Sequence, residues 1–170
     1  MRLGSIRILI CLTVLLLIVP ASYSQLVRPR VGVGMGVVGS TGANPFGLGL
    51  DTRLAFPINP DLSISAGASF VNYVFQGRDG AAYFISPSIS LIVTMNTAAP
   101  RSPYLVAGLG AYLPLAGDTE KDESGPIVEA GIGWVFGLQA TSVYLEITPA
   151  LVVARSAVDM QIPVRVGIIL

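Results

Sequence analysis

Histidine is absent from the sequence, and the single cysteine, Cys11, lies close to the N-terminus. Histidine is the most frequent general base near neutral pH, and cysteine is the most intrinsically nucleophilic side chain. Serines are plentiful, but none is paired with an evident base. Because metal-ligand spacings are also missing, we predict that the chain is not an enzyme and needs no cofactor or metal.

Charged residues are scarce as well. They make up 12% of the 170 residues, while hydrophobic residues reach 52% and the mean hydropathy is +0.71. Soluble domains usually carry roughly 25% charged residues, which cover their surface. Ten basic residues balance ten acidic ones, so no nucleic-acid partner is indicated. The composition favours a membrane protein, and the length favours a single domain.

The apolar run near the N-terminus is too short to cross a membrane as a helix. Ile8–Val19 is broken only by a threonine and holds a dozen residues, whereas a spanning helix needs about 20. Arg2 and Arg7 precede the run, and small residues at Ser22 and Ser24 fit a cleavage site. This arrangement predicts a secretory signal peptide, with an uncleaved anchor helix as the alternative.

Cleavage after Ser24 would divide the chain into a signal peptide, residues 1–24, and one mature domain, residues 25–170. Cys11 lies inside the apolar run rather than after it, which argues against a lipoprotein acylation site. Its removal would leave the mature chain without any disulfide. No shift in composition marks a second domain.

The mature part alternates apolar residues with small or polar ones at a period of two, which is typical of β-strands with two different faces. The last segment shows this clearly, because Val164, Val166 and Ile168 alternate with Arg165 and Gly167. Segments of roughly ten residues suit tilted strands that cross a bilayer. Eight segments follow the pattern: 31–37, 47–56, 63–70, 85–94, 104–112, 127–136, 142–151 and 158–170. They predict an all-β fold, a transmembrane antiparallel up-and-down β-barrel of about eight strands.

The volumes of the two faces decide which one points outward. An eight-stranded barrel has room inside for side chains and little else. A face of Leu, Ile, Val and Phe would overfill that space, whereas the opposite face is mostly Gly and Ser. We therefore predict that the apolar face meets lipid. Aromatic residues of this face lie near strand ends, as in the aromatic girdles of membrane barrels: Phe46, Phe56, Tyr83, Trp134 and Phe136.

Five charged residues fall on the inward face by parity. They are Asp51, Arg53, Glu129, Glu146 and Arg165. An enclosed charge is costly unless it is paired, so we expect a lumen charge network, with neighbouring Glu146 and Arg165 in contact. Such a network would seal the lumen, and a narrow hydrated pore is the alternative. The inward glycines either leave cavities or let the wall bend.

Two segments carry a resemblance to a known family. Residues 103–112 (PYLVAGLGAY) and 128–134 (VEAGIGW), with the alternating last strand, resemble the small outer-membrane barrels of the OmpA/OmpX type. The resemblance implies export through the periplasm to the bacterial outer membrane, with membrane lipids, lipopolysaccharide and the assembly machinery as partners and a monomer as the expected state. That family usually ends in an aromatic residue, whereas this sequence ends in Leu170.

Three prolines and one acidic segment do not follow the regular pattern of strands. Pro87, Pro149 and Pro163 fall within predicted strands, and proline cannot donate to a ladder, so we expect bulges or earlier strand ends there. The acidic segment 118–123 is expected to be a solvated extracellular loop, with a cation-mediated contact to lipopolysaccharide as the alternative.

The leading functional hypothesis is a non-enzymatic structural, envelope-integrity or surface-interaction protein. A narrow channel for small solutes is the alternative, and a soluble lipid-binding barrel is a third class.

Overall fold

The structure is a computed structural model that describes residues 28–42, 45–73, 82–95, 101–116, 124–138, 140–154 and 158–170. The signal peptide predicted for residues 1–24 and the acidic segment 118–123 lie outside the described residues. Among the residues described, no helix is long and apolar enough to cross a membrane.

A single antiparallel sheet closes on itself to form the barrel. Its strands are β1 (Arg30–Ser40), β2 (Phe46–Pro57), β3 (Leu62–Tyr73), β4 (Ala82–Thr94), β5 (Arg101–Ala116), β6 (Gly125–Gly137), β7 (Ser142–Ile147), β8 (Ala150–Val153) and β9 (Val158–Ile169). From β1 to β7 each strand pairs with the next one in sequence, and β1 pairs with β9 to complete the circle. Because β7 and β8 both lie between β6 and β9, they are halves of one barrel strand. The predicted eight-stranded barrel is confirmed.

The prolines interrupt the ladders without shifting them. Pro149 separates β7 from β8, yet the pairs Ile147–Val164 and Ala150–Gln161 keep one register with β9. The backbone N–H of Ala130 still donates to the carbonyl of Pro149 at 3.1 Å, so only the bond that proline cannot donate is lost. Of the two outcomes expected at the prolines, a bulge or an earlier strand end, this strand shows the second, because β7 ends at Ile147.

A register shift does occur elsewhere, between Tyr83 and Phe84, where β4 pairs with β5. Pro87 lies within β4, and the ladder between these strands passes from Ile85 directly to Ser88. Pro163 lies inside β9 and accepts a hydrogen bond from the N–H of Thr148.

The apolar face points outward, as predicted. Large apolar side chains in the middle of the wall are strongly exposed, with Ile89 and Leu109 each 66% exposed and Met35 62%. Phe46 and Phe56, near opposite ends of β2, are also exposed on this face. This distribution is the reverse of a soluble lipid-binding barrel, which would turn its apolar face inward.

Candidate functional site

All five inward charges predicted from the sequence lie in the barrel lumen. Asp51 and Arg53 alternate on β2, Glu129 lies on β6, Glu146 on β7 and Arg165 on β9. Their side chains expose between 0% and 16% of their surface. Strand alternation places them inside, because residues separated by two positions share a face.

Glu146 is the centre of the network and is completely buried. Arg53 donates through both terminal nitrogens, Nη1 to Oε2 and Nη2 to Oε1, at 2.8 Å each. Such a bidentate guanidinium–carboxylate pair is a strong, directional contact. The hydroxyl of Tyr104 donates to Oε2 at 2.8 Å, and Arg165 Nη1 donates to Oε1 at 3.1 Å. Glu146 therefore accepts four hydrogen bonds from three strands.

Arg165 connects this centre to the remaining carboxylates. Its Nη1 also donates to the hydroxyl of Thr148 at 2.8 Å. Its Nε lies 3.8 Å from Asp51 Oδ1, and its Nη2 lies 3.9 Å from Glu129 Oε2. The contact with Glu146 predicted for Arg165 is therefore present, whereas Glu129 lies at the edge of ion-pair distance.

Serine and tyrosine hydroxyls make further hydrogen bonds to the other two carboxylates, those of Asp51 and Glu129. Ser69 Oγ donates to Asp51 Oδ1 at 2.6 Å, and the hydroxyl of Tyr144 lies 3.4 Å from Oδ2. Ser90 Oγ donates to Glu129 Oε1 at 3.0 Å. Strand alternation predicts that both serines face inward, but it does not indicate which carboxylate each hydroxyl contacts.

Several inward glycines make room for tyrosine rings. A Cβ at Gly133 would clash with the ring and hydroxyl of Tyr104. A Cβ at Gly34 or Gly167 would clash with Tyr144. At these positions a tyrosine ring from another strand occupies the space that a side chain would need, so only glycine fits. These three inward glycines therefore face filled space, whereas Gly36 and Gly49 border a small cavity beside Asp51.

An apolar layer fills the end of the lumen where β3 ends and β4 begins. The rings of Phe84 and Tyr112 stack with centroids 4.3 Å apart, and Tyr73 meets Phe84 edge-on at 5.5 Å. Aliphatic side chains surround these rings and are at most 7% exposed: Val38, Val71, Ile127 and Val152. The sequence prediction of a lumen lined mainly by Gly and Ser is wrong for this layer. Five of its residues lie outside the predicted segments: Val38, Val71, Tyr73, Phe84 and Val152.

The lumen spaces described between these groups are small. One cavity of about 20 Å³ adjoins Asp51 and Arg165, and one of about 30 Å³ adjoins Glu129. A third, of about 70 Å³, reaches from Arg53 toward Arg30 at the mouth. One water needs roughly 10–15 Å³, so each of the two smaller spaces has room for one or two waters and the third for several. In the described part of the chain no three His, Cys, Asp or Glu side chains group as metal ligands.

Comparison with known structures identifies the fold. The crystal structure of Neisserial surface protein A matches with a TM-score of 0.69 and 14% identity, covering 84% of this chain and 96% of that one. This chain has the fold of the small eight-stranded outer-membrane β-barrels. The attachment invasion locus protein Ail of Yersinia pestis, solved with the heparin analogue sucrose octasulfate, matches this barrel with a TM-score of 0.56 and 10% identity, over 84% of this chain and 99% of that one. No family model and no curated protein matches the sequence.

Proposed function

We propose that this protein is a non-enzymatic barrel of the bacterial outer membrane with a sealed lumen, which acts as a structural component of the envelope or as a surface-interaction protein. The observation that carries the proposal is the filling of the lumen by two successive layers. The ion network around Glu146 occupies the middle, and the aromatic layer around Phe84 occupies one end. A packed interior leaves the outer wall and the loops as working surfaces.

The outward face supports a membrane location. Leucine, isoleucine, valine and methionine side chains are exposed around the wall, and such a surface needs lipid to cover it. The two solved structures of the same fold are a surface protein and an attachment protein by name. We infer that outer-membrane lipids and lipopolysaccharide contact this wall, and that the barrel is inserted by the assembly machinery as a monomer.

A narrow channel is the competing function, and the polar cavities beside Arg53, Asp51 and Glu129 favour it. The apolar layer around Phe84 opposes it, because an ion would lose its hydration there without gaining polar partners.

Membrane fractionation tests the proposed location. The mature protein should be found with the outer membrane, should migrate faster on gels when unboiled, and should begin at Gln25 by mass spectrometry. Recovery in the soluble periplasmic fraction, or an intact Met1 in the folded protein, would contradict the proposal. Swelling of liposomes that carry the protein tests the lumen, and uptake of small sugars would favour the channel.

A further inference from the structure

A groove lies on the outer wall of the barrel, across the seam where β1 meets β9. Its volume is about 600 Å³, which is within the range of pockets that hold one small ligand. We call it the seam groove. It is continuous with the lipid-facing wall, so hydrocarbon rather than water surrounds it. Pairs of apolar side chains from three neighbouring strands form most of its lining: Met35 and Val37 of β1, Leu48 and Leu50 of β2, and Val164 and Val166 of β9.

One end of the seam groove is polar. Asn72 borders the groove and is the next-to-last residue of β3, where it pairs with Leu48. It lies two positions after Phe70, which is exposed on the outward face, so it shares that face. Arg165 also borders the groove, but its guanidinium points into the lumen and donates to Glu146. A molecule in the groove therefore meets apolar side chains along its length and the amide of Asn72 at one end.

The side-chain amide of Asn72 is not satisfied by the protein. Its Oδ1 is buried, and among the residues described it accepts no hydrogen bond. Buried polar atoms are normally hydrogen-bonded, and an unmade bond is especially costly beside hydrocarbon. Rotation about the Cβ–Cγ bond turns Oδ1 toward the groove at little cost, because this torsion is broad in asparagine. A molecule in the seam groove that donates a hydrogen bond to Oδ1 would therefore be favoured over one that only accepts.

We propose that the seam groove holds one acyl chain of a lipid that carries a hydrogen-bond donor at the base of that chain. The apolar lining takes the chain, and Asn72 Oδ1 accepts from the donor, in surroundings where a hydrogen bond is strong. Amide-linked or hydroxylated acyl chains have such donors, whereas the ester linkages of common phospholipids only accept. Lipopolysaccharide carries chains of the first kind and is the source that we assign. The inference deepens the proposed contact with outer-membrane lipids and rests on it.

Lipid retention by the folded mature chain tests the proposal, measured by native mass spectrometry from mixed micelles. Sphingomyelin and phosphatidylcholine with equal palmitoyl chains are the probes, because they share the phosphocholine headgroup and differ in the amide and hydroxyl donors. We expect about a fivefold preference for sphingomyelin, which one net hydrogen bond gives. Asn72→Leu should abolish the preference. Thr52→Val removes a polar group from the outward face of β2, outside the groove, and should keep it.

Two tryptophan variants test the groove itself. Val166→Trp fills it and should release the bound lipid, whereas Val128→Trp, at a similarly exposed position of β6 outside the groove, should not. Equal retention of both lipids by the wild type would overturn the proposal, as would a preference that survives Asn72→Leu or Val166→Trp. A dimer that Val166→Trp dissociates would assign the groove to a second copy of the chain and would also overturn it.

Gel mobility of the same preparations separates this site from the proposed function. A barrel that inserts into vesicles and migrates faster when unboiled, but shows no lipid preference, refutes only the seam groove as a lipid site. A chain that folds without inserting into vesicles refutes the membrane location as well.

Discussion

Arg53 and Glu146 are joined by two hydrogen bonds of 2.8 Å, although β9 and β1 separate their strands in the barrel wall. The pair therefore spans the lumen rather than linking neighbouring strands. The guanidinium of Arg53 also lies over the ring of Tyr144, with Cζ 5.6 Å from the centroid. This arrangement fixes the two sides of the wall relative to each other through one buried carboxylate.

Removal of one partner of this pair should be strongly destabilising. We expect Glu146→Gln or Arg53→Met to reduce the free energy of unfolding by about 3–5 kcal/mol, because each leaves a buried charge without its partner. The double variant should cost clearly less than the sum, which a double-mutant cycle in urea would measure. Arg30→Met, at the exposed mouth, serves as the control, with an expected change within about 0.5 kcal/mol. Additive single effects would show that water screens these charges.

Glycine packing against the tyrosines gives a second prediction. Gly133→Ala should destabilise the barrel by about 1–3 kcal/mol, since the new methyl group overlaps the ring of Tyr104. The cost should shrink when Tyr104 is also replaced by alanine. Gly39→Ala is the matched control, because no atom lies within 4 Å of its added Cβ. Equal costs at the two glycines would mean that general strand effects, and not the ring contact, determine them.

Lipid exposure of the apolar face gives a third prediction. Replacement of Leu109, in the middle of β5, by arginine should reduce the free energy of unfolding in vesicles by about 2–4 kcal/mol. Arginine at Val158, the first residue of β9, should cost only about 0–1 kcal/mol, because the depth in the membrane determines the penalty. Both side chains are more than 60% exposed, so a soluble barrel would tolerate both changes equally.

The aromatic layer gives a fourth prediction. Phe84→Ala should cost about 3–5 kcal/mol in the free energy of unfolding, as for other fully buried phenylalanines. Phe70 faces outward and is 38% exposed. Its replacement by alanine should therefore reduce the free energy of unfolding clearly less. Thermal unfolding of both variants in one detergent would measure the two changes. Similar losses for the two variants would contradict a packed lumen at Phe84.

Much of the fold could be predicted from the sequence because strand alternation is local. Parity alone places Asp51 and Arg53 on the inner face, and the volumes of the two faces decide that this face lies inside. The contact between Glu146 and Arg165 also follows from parity. Both residues face inward, and their segments, 142–151 and 158–170, are joined by a short connection and are therefore neighbours in the wall.

The partners across the lumen could not be predicted in the same way. The contact of Arg53 with Glu146 depends on the stagger between strands, which alternation does not determine. The aromatic layer was missed because Phe84 and Tyr73 lie beyond the assumed ends of their segments, and strand ends are the least certain feature of a sequence pattern. The role of Gly133 depends on where the ring of Tyr104 lies, which only the folded barrel defines.

Single-channel recording in planar bilayers tests the sealed lumen most directly. The mature chain, folded and inserted alone, should produce no conductance above that of the bare bilayer over a wide range of voltage and salt. The Glu146→Gln variant, if it folds, serves as the probe of the network. Discrete conductance steps in the wild type, with a size or ion selectivity that changes in Glu146→Gln, would contradict the sealed lumen and establish a channel.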